Sequence, residues 1–132
     1  MRVRLVLFAV AVCLCLTPTL SAQDAAKVDP KHYSVVSEND QVRILKVHYG
    51  AHEKSVMHSH PNSVAVFLTD GTIHFTLPDG KTIDSKVKAG NALYTSAITH
   101  LPEDQGEQPF ELILVELKSK AGTAKAAPTS NK

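Results

Sequence analysis

Cysteine is almost absent from this sequence. Its two cysteines, Cys13 and Cys15, both lie in an apolar run near the N-terminus, and the remaining chain has none. Disulfide bonds therefore cannot hold the fold together, even in an oxidising compartment. Without its first 22 residues the 132-residue chain keeps 110, which is the size of one domain. We expect that domain to depend on a hydrophobic core.

The chain also lacks a large charge of either sign. It has 14 basic and 13 acidic residues; without Arg2 and Arg4 the basic residues number 12, which gives a formal charge of −1. Nucleic acids and anionic membrane surfaces bind clustered positive charge. We therefore expect no nucleic-acid partner and, once the N-terminal segment is removed, no membrane partner. A small molecule is the better candidate ligand.

After the N-terminus, no apolar run is long enough to cross a membrane. The first 22 residues have the layout of a secretory signal peptide, with two arginines, an apolar stretch, a helix breaker and a small-residue end: Arg2, Arg4, residues 5–16, Pro18 and Ala22. The stretch of 12 residues falls short of the roughly 20 that span a bilayer. The pattern predicts cleavage after Ala22 and an exported protein, periplasmic or secreted.

Two alternatives concern this N-terminal segment. It could stay in place as an uncleaved anchor, or a cysteine in it could carry a lipid. A lipoprotein signal needs its cysteine at the end of the apolar run, whereas Cys13 lies in the middle. Cleavage by a signal peptidase is therefore the favoured interpretation.

Composition divides the rest of the chain into a folded unit and two tails. Residues 23–31 and 118–132 are rich in Ala, Lys, Ser, Thr and Pro and have almost no large apolar side chains. Such segments bury too little apolar surface to offset the entropy of ordering. We predict a flexible N-terminal tail at 23–31, one β-barrel domain at 32–117 and a flexible C-terminal tail at 118–132.

Short segments between turn residues predict an all-β fold. Hairpin signals separate neighbouring apolar segments at three places: residues 38–41, Asp70-Gly71 and Pro78-Asp79-Gly80. Residues 72–77 alternate in polarity as a half-buried strand does. Further strands are expected at 92–95 and 110–117. About eight short strands with frequent turns imply a sandwich or a barrel.

Three histidines have the spacing of a metal site. His58 and His60 are two residues apart, so on a strand both imidazoles point to the same side. A third histidine from another strand, His100, would leave coordination positions open for water or substrate. Two exposed strand histidines would look the same in sequence, so the surrounding motifs matter.

Residues 50–71 resemble the first motif of the cupin superfamily, in which a glycine precedes a His-x-His pair and a second glycine closes the next hairpin. These residues are Gly50, His58, His60 and Gly71. Residues 89–117 resemble the second motif, with His100 in the place of the last metal ligand. The resemblance, which covers about residues 42–117, implies a double-stranded β-helix, or jelly roll. It also implies that His58, His60 and His100 are the metal ligands.

The sequence departs from the cupin pattern at the fourth ligand. Cupins usually carry a glutamate four or five residues after the His-x-His pair, where this chain has Val64 and Ala65. Three neutral imidazoles would leave a divalent metal with its full charge, which favours nitrogen-loving ions. Iron, zinc, manganese, nickel and copper all stay open. The resemblance also allows a homodimer formed through exposed edge strands.

Two functional hypotheses follow from this resemblance. In the first, the protein is a metal-dependent oxygenase or hydrolase that acts on a small organic molecule. In the second, it is a non-catalytic module that binds a small ligand in a metal-free pocket. No G-x-S-x-G elbow, phosphate-binding glycine loop or cysteine nucleophile in the mature chain supports other chemistry. The remaining histidines are expected on the surface or on an outer strand face, namely His32, His48, His52 and His74.

The first prediction concerns export. The mature protein should begin at or near Gln23 and contain no thiol, because both cysteines precede the cleavage site. Intact-mass measurement of protein recovered from the exported fraction tests this expectation. A mass that includes Cys13 and Cys15 would contradict it.

Overall fold

The computed structural model describes residues 23–119, in which nine strands form two antiparallel sheets. The elements in chain order are α1 (Ala25–Val28), β1 (Tyr33–Glu38), β2 (Val42–Tyr49), β3 (His58–His60), β4 (Ser63–Phe67), β5 (Gly71–Thr76), β6 (Thr82–Val87), β7 (Ala92–Thr95), β8 (Ile98–Asp104) and β9 (Phe110–Leu117). The predicted all-β fold is confirmed. The proposed signal peptide at 1–22 and residues 120–132 of the expected C-terminal tail lie outside the described residues.

Two sheets enclose the core. One has the strand order β1-β2-β9-β4-β7 and the other the order β3-β8-β5-β6. Along β2, β4 and β9 alternate residues point inward, so that Leu45, Ala65 and Leu114 are buried at neighbouring positions of the ladder. No helix within residues 23–119 is long and apolar enough to cross a membrane.

One of the three predicted hairpins is wrong. The turns at residues 38–41 and 78–80 do join paired strands, β1 with β2 and β5 with β6. At Asp70-Gly71, however, the chain passes from one sheet to the other. The backbone N–H groups of Leu68 and Thr69 donate to the carbonyl of Glu111, so they cannot continue a ladder with β5. A turn signal marks a reversal of the chain, but it does not determine which strands pair.

Gly71 has a packing role at this crossing. A Cβ atom at this position would lie 2.4 Å from Cδ2 of Phe110, which is 3% exposed at the start of β9. Only glycine lets the backbone of β5 approach the ring so closely. The second glycine of the cupin-like motif thus allows the ring of Phe110 to close this end of the core.

The expected flexible tail at 23–31 is instead packed on the barrel. Asp24 caps α1 through a hydrogen bond from the N–H of Ala26, and Ala25 is fully buried. The N–H of Ser59 donates to the carbonyl of Gln23 at 2.7 Å, and Arg43 donates to Asp24 at 2.6 Å. Composition misled here because small and polar side chains, rather than large apolar ones, attach this segment.

His32, expected on the surface, is only 5% exposed. Its ring stacks on Tyr49 with the ring centres 4.3 Å apart and the planes 9° from parallel. Its two nitrogens lie 2.7 Å from Asp29 and 3.1 Å from Glu53. Two carboxylates and one aromatic face therefore enclose a residue that the sequence alone places beside a flexible tail.

Asp24→Ala tests whether this segment is part of the fold. The substitution removes the cap of α1 and the ion pair with Arg43, so we expect a loss of about 1–2 kcal/mol in the free energy of unfolding. Urea denaturation of the purified protein measures it. Lys27→Ala is the matched control, because Lys27 lies in the same helix and is exposed. Equal stabilities for both variants would mean that the contacts of Asp24 add nothing to the stability of the fold.

Candidate metal centre

Strand pairing brings the three histidines of the sequence motif together. His58 on β3 lies directly opposite His100 on β8, and His60 follows two residues later on the same face of β3. The three ring centres are 4.8, 5.0 and 5.4 Å apart, and the ring planes cross at 79–86°. One nitrogen from each ring belongs to a group in which all three atoms lie within 4.8 Å of one another. The rings therefore form a tripod around one point.

Hydrogen bonds leave the same nitrogen free on two of these rings. Nδ1 of His58 donates to the carbonyl of Val56 at 2.8 Å, and Nδ1 of His60 donates to a carboxylate oxygen of Glu116 at 2.7 Å. Because a carbonyl or a carboxylate only accepts, Nδ1 carries the proton in both rings. Each Nε2 is then left with a lone pair, as a metal ligand requires.

Two of the ring nitrogens are buried without a partner. Within the described residues, Nε2 of His58 and Nε2 of His100 form no hydrogen bond. Burial lowers the pKa of His58 from 6.5 to about 4, and the neighbouring His60 adds to this effect. Burial likewise lowers the pKa of His100 to about 3, with further contributions from His58 and His60. Both rings are therefore neutral at physiological pH.

A chain of alternating charges supports His60 from behind. Glu116, which is 2% exposed, accepts from His60 with one oxygen and from Arg43 with the other, the latter at 2.6 Å. Arg43 also donates to Asp24 at 2.6 Å. The hydrogen bonds and charges of Asp24 and Glu116 outweigh burial and raise the pKa of Arg43. This chain fixes both the orientation and the tautomer of His60.

A second polar chain lies behind His58. The hydroxyl of Ser55 is 3.2 Å from Nδ1 of His58 and donates to Asp29, which also contacts His32. Burial raises the pKa of Asp29, but the hydrogen bonds from Ser55 and His32 outweigh it, so the pKa is lowered overall. The carboxylate therefore stays ionised and anchors the residues around His58.

Tyr33 fills the space between the two supports. Its ring centre is 4.7 Å from that of His58 and 5.4 Å from that of His60, and its hydroxyl lies 2.7 Å from the hydroxyl of Tyr49. Burial raises the pKa of Tyr33 well above 10, and Tyr49 adds to the shift. The phenol is therefore a neutral wall of the site.

The tripod opens onto an apolar cavity of about 290 Å³ between the two sheets. His60 and His100 lie in the cavity wall, whereas His58 is fully buried. Most other lining residues are apolar, among them Val47, Phe67, Ile73, Phe110 and Leu114. A molecule in this cavity would have two imidazoles at one side and hydrocarbon around the rest.

These residues fit a divalent transition metal. The donor set is three imidazoles with two orphaned nitrogens, and one ligand is oriented by a carboxylate, an arrangement frequent around protein-bound zinc and iron. A metal held there would act as a Lewis acid for a bound molecule.

Three histidines that the sequence predicts on the surface lie outside the tripod. His48 pairs with Glu111, His52 with Glu107 and His74 with Asp84.

Comparison with solved structures identifies the architecture. A cupin domain from Bordetella pertussis Tohama I aligns with a TM-score of 0.61 and 19% identity, over 66% of this chain and 92% of that protein. A double-stranded β-helix protein from Klebsiella pneumoniae aligns with a TM-score of 0.54 and 22% identity, over 68% and 78% of the two chains. The protein has the cupin fold. An RmlC-like cupin from Methanocaldococcus jannaschii gives 0.53 and 17%, over 64% and 77%.

The cupin resemblance stated from the two motifs is thus confirmed as a fold. No family model matches the sequence, and neither does any curated protein. At identities of 17–22%, the likeness to these structures carries no substrate or reaction to this chain. Function has to be argued from the site itself.

The position at which the cupin pattern has a fourth ligand is occupied by a small side chain in this protein. Ala65 is 5% exposed and lines the cavity, as the predicted strand register requires, while Val64 points to the other face. The nearest carboxylate to the tripod is instead Glu116, which binds His60 from outside the ligand set. The role of Glu116 was not predicted from the sequence. Its position on the inward face of β9, two residues after Leu114, does indicate a buried carboxylate.

The two depressed histidine pKa values predict how stability changes with pH. In the unfolded chain these histidines bind protons near pH 6.5, whereas in the folded protein they stay neutral down to about 4 and 3. The unfolded state therefore binds more protons below pH 6.5, and stability falls as pH falls. Between pH 6.5 and pH 5 we expect a loss of roughly 2 kcal/mol per histidine.

Urea denaturation of chelator-treated protein at pH 7.5, 6 and 5 measures this dependence. His100→Gln should remove about half of it, because glutamine does not titrate whereas His58 still does. His48→Gln should not, because His48 lies on the surface. A wild-type stability that is constant across this range would show that the buried histidines do not titrate as their burial requires.

Proposed function

We propose that this protein is an exported, metal-binding cupin that holds a divalent transition metal with His58, His60 and His100. In this proposal, the adjoining cavity takes up a small, largely apolar organic molecule. The observation that carries the proposal is the pair of buried, partnerless Nε2 atoms on His58 and His100, beside a third imidazole oriented by Glu116. An unpaired buried nitrogen costs about 1–3 kcal/mol, and coordination would remove that cost.

Charge around the tripod also supports a bound cation. The three ligands are neutral, but Glu116 lies one hydrogen bond behind His60 and Asp29 lies behind Ser55 and His58. Arg43 compensates part of this negative charge from the far side of Glu116. The fold therefore presents a divalent ion with neutral donors backed by two carboxylates, although it has no acidic ligand.

The cavity residues define what a reaction could use. Its titratable lining residues are Tyr33, Tyr49, His60, His100 and Asp104. Burial raises the pKa of both tyrosines, so neither serves as a base near neutral pH. A metal-dependent oxygenase or hydrolase reaction would thus draw its reactivity from the metal, while the protein excludes water and positions the substrate.

The second candidate function is a non-catalytic, metal-free binding module. The predominantly apolar cavity favours it, because such a cavity binds a ligand by burying hydrocarbon, with or without a metal nearby. In that case Nε2 of His58 and Nε2 of His100 would meet water or a polar group of the ligand. The metal content of the protein distinguishes the two functions.

Elemental analysis of the purified protein tests the metal proposal. We expect about one transition-metal ion per chain in the wild type and almost none in His58→Ala. Glu116→Gln keeps the shape of the side chain but removes the charge behind His60, so its affinity for the metal should fall by about 10–100-fold. His48→Ala is the control, because it removes an exposed histidine outside the tripod.

Two results would reject the metal centre. One is an absence of metal after reconstitution of the wild type with iron, zinc, manganese, nickel and copper in turn. The other is an affinity that stays unchanged in His58→Ala while circular dichroism shows that the variant is folded. Either result would leave the binding module as the function.

A further inference from the structure

Asp104 is a buried carboxylate in the cavity wall that neither the metal tripod nor the proposed chemistry uses. It is the last residue of β8 and 2% exposed. Its neighbours in the cavity wall are largely apolar and include Phe67, Ile73, Val87 and Phe110. A carboxylate is an expensive side chain to place among such residues unless something binds it.

Only part of the hydrogen-bonding capacity of Asp104 is used. Its backbone N–H donates to the carbonyl of Glu53 at 2.9 Å, and Oδ1 accepts from the N–H of Gly106 at 2.9 Å. Within residues 23–119, Oδ2 is buried and has no partner, and no lysine, arginine or histidine forms an ion pair with this carboxylate. The turn after β8 thus accounts for one oxygen and leaves the other without a bond.

Asp104 lies on the same face of β8 as His100 and closer to the end of the strand. The two residues are four positions apart, and four steps along a strand are about 13 Å. Between them, on the same face, lies Pro102, and Phe75 stacks against the ring of His100. The cavity thus has imidazoles at one end, an anion at the other and hydrocarbon between.

We propose that Asp104 selects the ligand of this cavity and binds a hydrogen-bond donor, preferentially a primary amine, at the end remote from the histidines. The expected ligand is an elongated molecule with an apolar body. An ammonium group matches the free oxygen best, because a charge-assisted hydrogen bond is stronger than a neutral one. A carboxylate at that end would meet like charge and be rejected.

This inference rests on the proposed function only for the end of the ligand that faces the metal. The contact at Asp104 is independent of the metal, so the two can be tested separately. Binding should therefore be measured on the protein as purified and again after chelation. If the metal-centre hypothesis were rejected, the proposed contact with Asp104 would still stand.

Isothermal titration with four probes that share a 4-phenylbutyl body tests the selection: 4-phenylbutylamine, 4-phenylbutan-1-ol, its methyl ether and 5-phenylpentanoate. We expect the amine to bind most tightly, about tenfold better than the ether, which has no donor. The alcohol should fall between them, and the acid should bind weakest.

Asp104→Asn is the decisive variant. Its side-chain carbonyl can still accept from the N–H of Gly106, so the turn is kept, while the charge at Oδ2 is lost. The preference for the amine should fall about tenfold, with the affinity for the ether within about twofold of the wild type. Glu103→Gln is the matched control, because it removes a carboxylate one residue away on the opposite face of β8.

Three results would overturn the proposal. In the first, wild type binds the amine and the ether equally, as it would if a water molecule already satisfied Oδ2. In the second, Glu103→Gln lowers amine binding as much as Asp104→Asn does, which would indicate a general effect of surface charge. In the third, none of the four probes binds.

Discussion

The buried carboxylate of Glu116 is the contact on which the rest of the site depends. A charge that is 2% exposed has to be compensated nearby, and in this fold one oxygen accepts from His60 and the other from Arg43. Arg43 is in turn held by Asp24, which caps α1. Removal of the carboxylate would therefore release a proposed metal ligand, leave a partly buried cation with one partner and loosen the segment before β1. The orientation of His60 and part of the attachment of the N-terminal segment therefore have one electrostatic cause.

The segment from Asp24 to His32 connects both supports of the tripod. Asp24 reaches His60 through Arg43 and Glu116, and Asp29 reaches His58 through Ser55. Both routes end on an Nδ1 atom, which leaves Nε2 as the nitrogen that faces the point between the rings. Tyr33, immediately after this segment, packs its ring on His58 and His60. The segment thus packs behind the site, so a change in its packing would alter the orientation of the histidines.

Sequence patterns were sufficient for the fold and for the histidine triplet, because both depend on local periodicity and on spaced motifs. The alternation in residues 72–77 and the His-x-His spacing needed only the period of a strand. Sequence patterns could not predict the strand pairing across the Asp70-Gly71 turn, because a turn signal does not determine which sheet contains the next strand. The ordered segment before β1 was also missed, because long-range polar contacts such as that between Asp24 and Arg43 leave no trace in composition. The burial of Asp104 at the end of β8 was not predicted either, because a cluster of acidic residues is typical of a solvated loop.

The departure from the cupin pattern at Ala65 links the proposed metal chemistry to the proposed ligand. A glutamate at this inward position would supply a negative ligand and would also occupy part of the cavity beside the histidines. Alanine supplies no such charge. Glu116 instead places a negative charge behind His60, to which it is hydrogen-bonded, without entering the cavity. The space next to the tripod is then free for an organic molecule, whose other end is within reach of Asp104. One small side chain therefore has two effects on the proposed site, because it supplies no negatively charged ligand and it leaves room for an organic molecule.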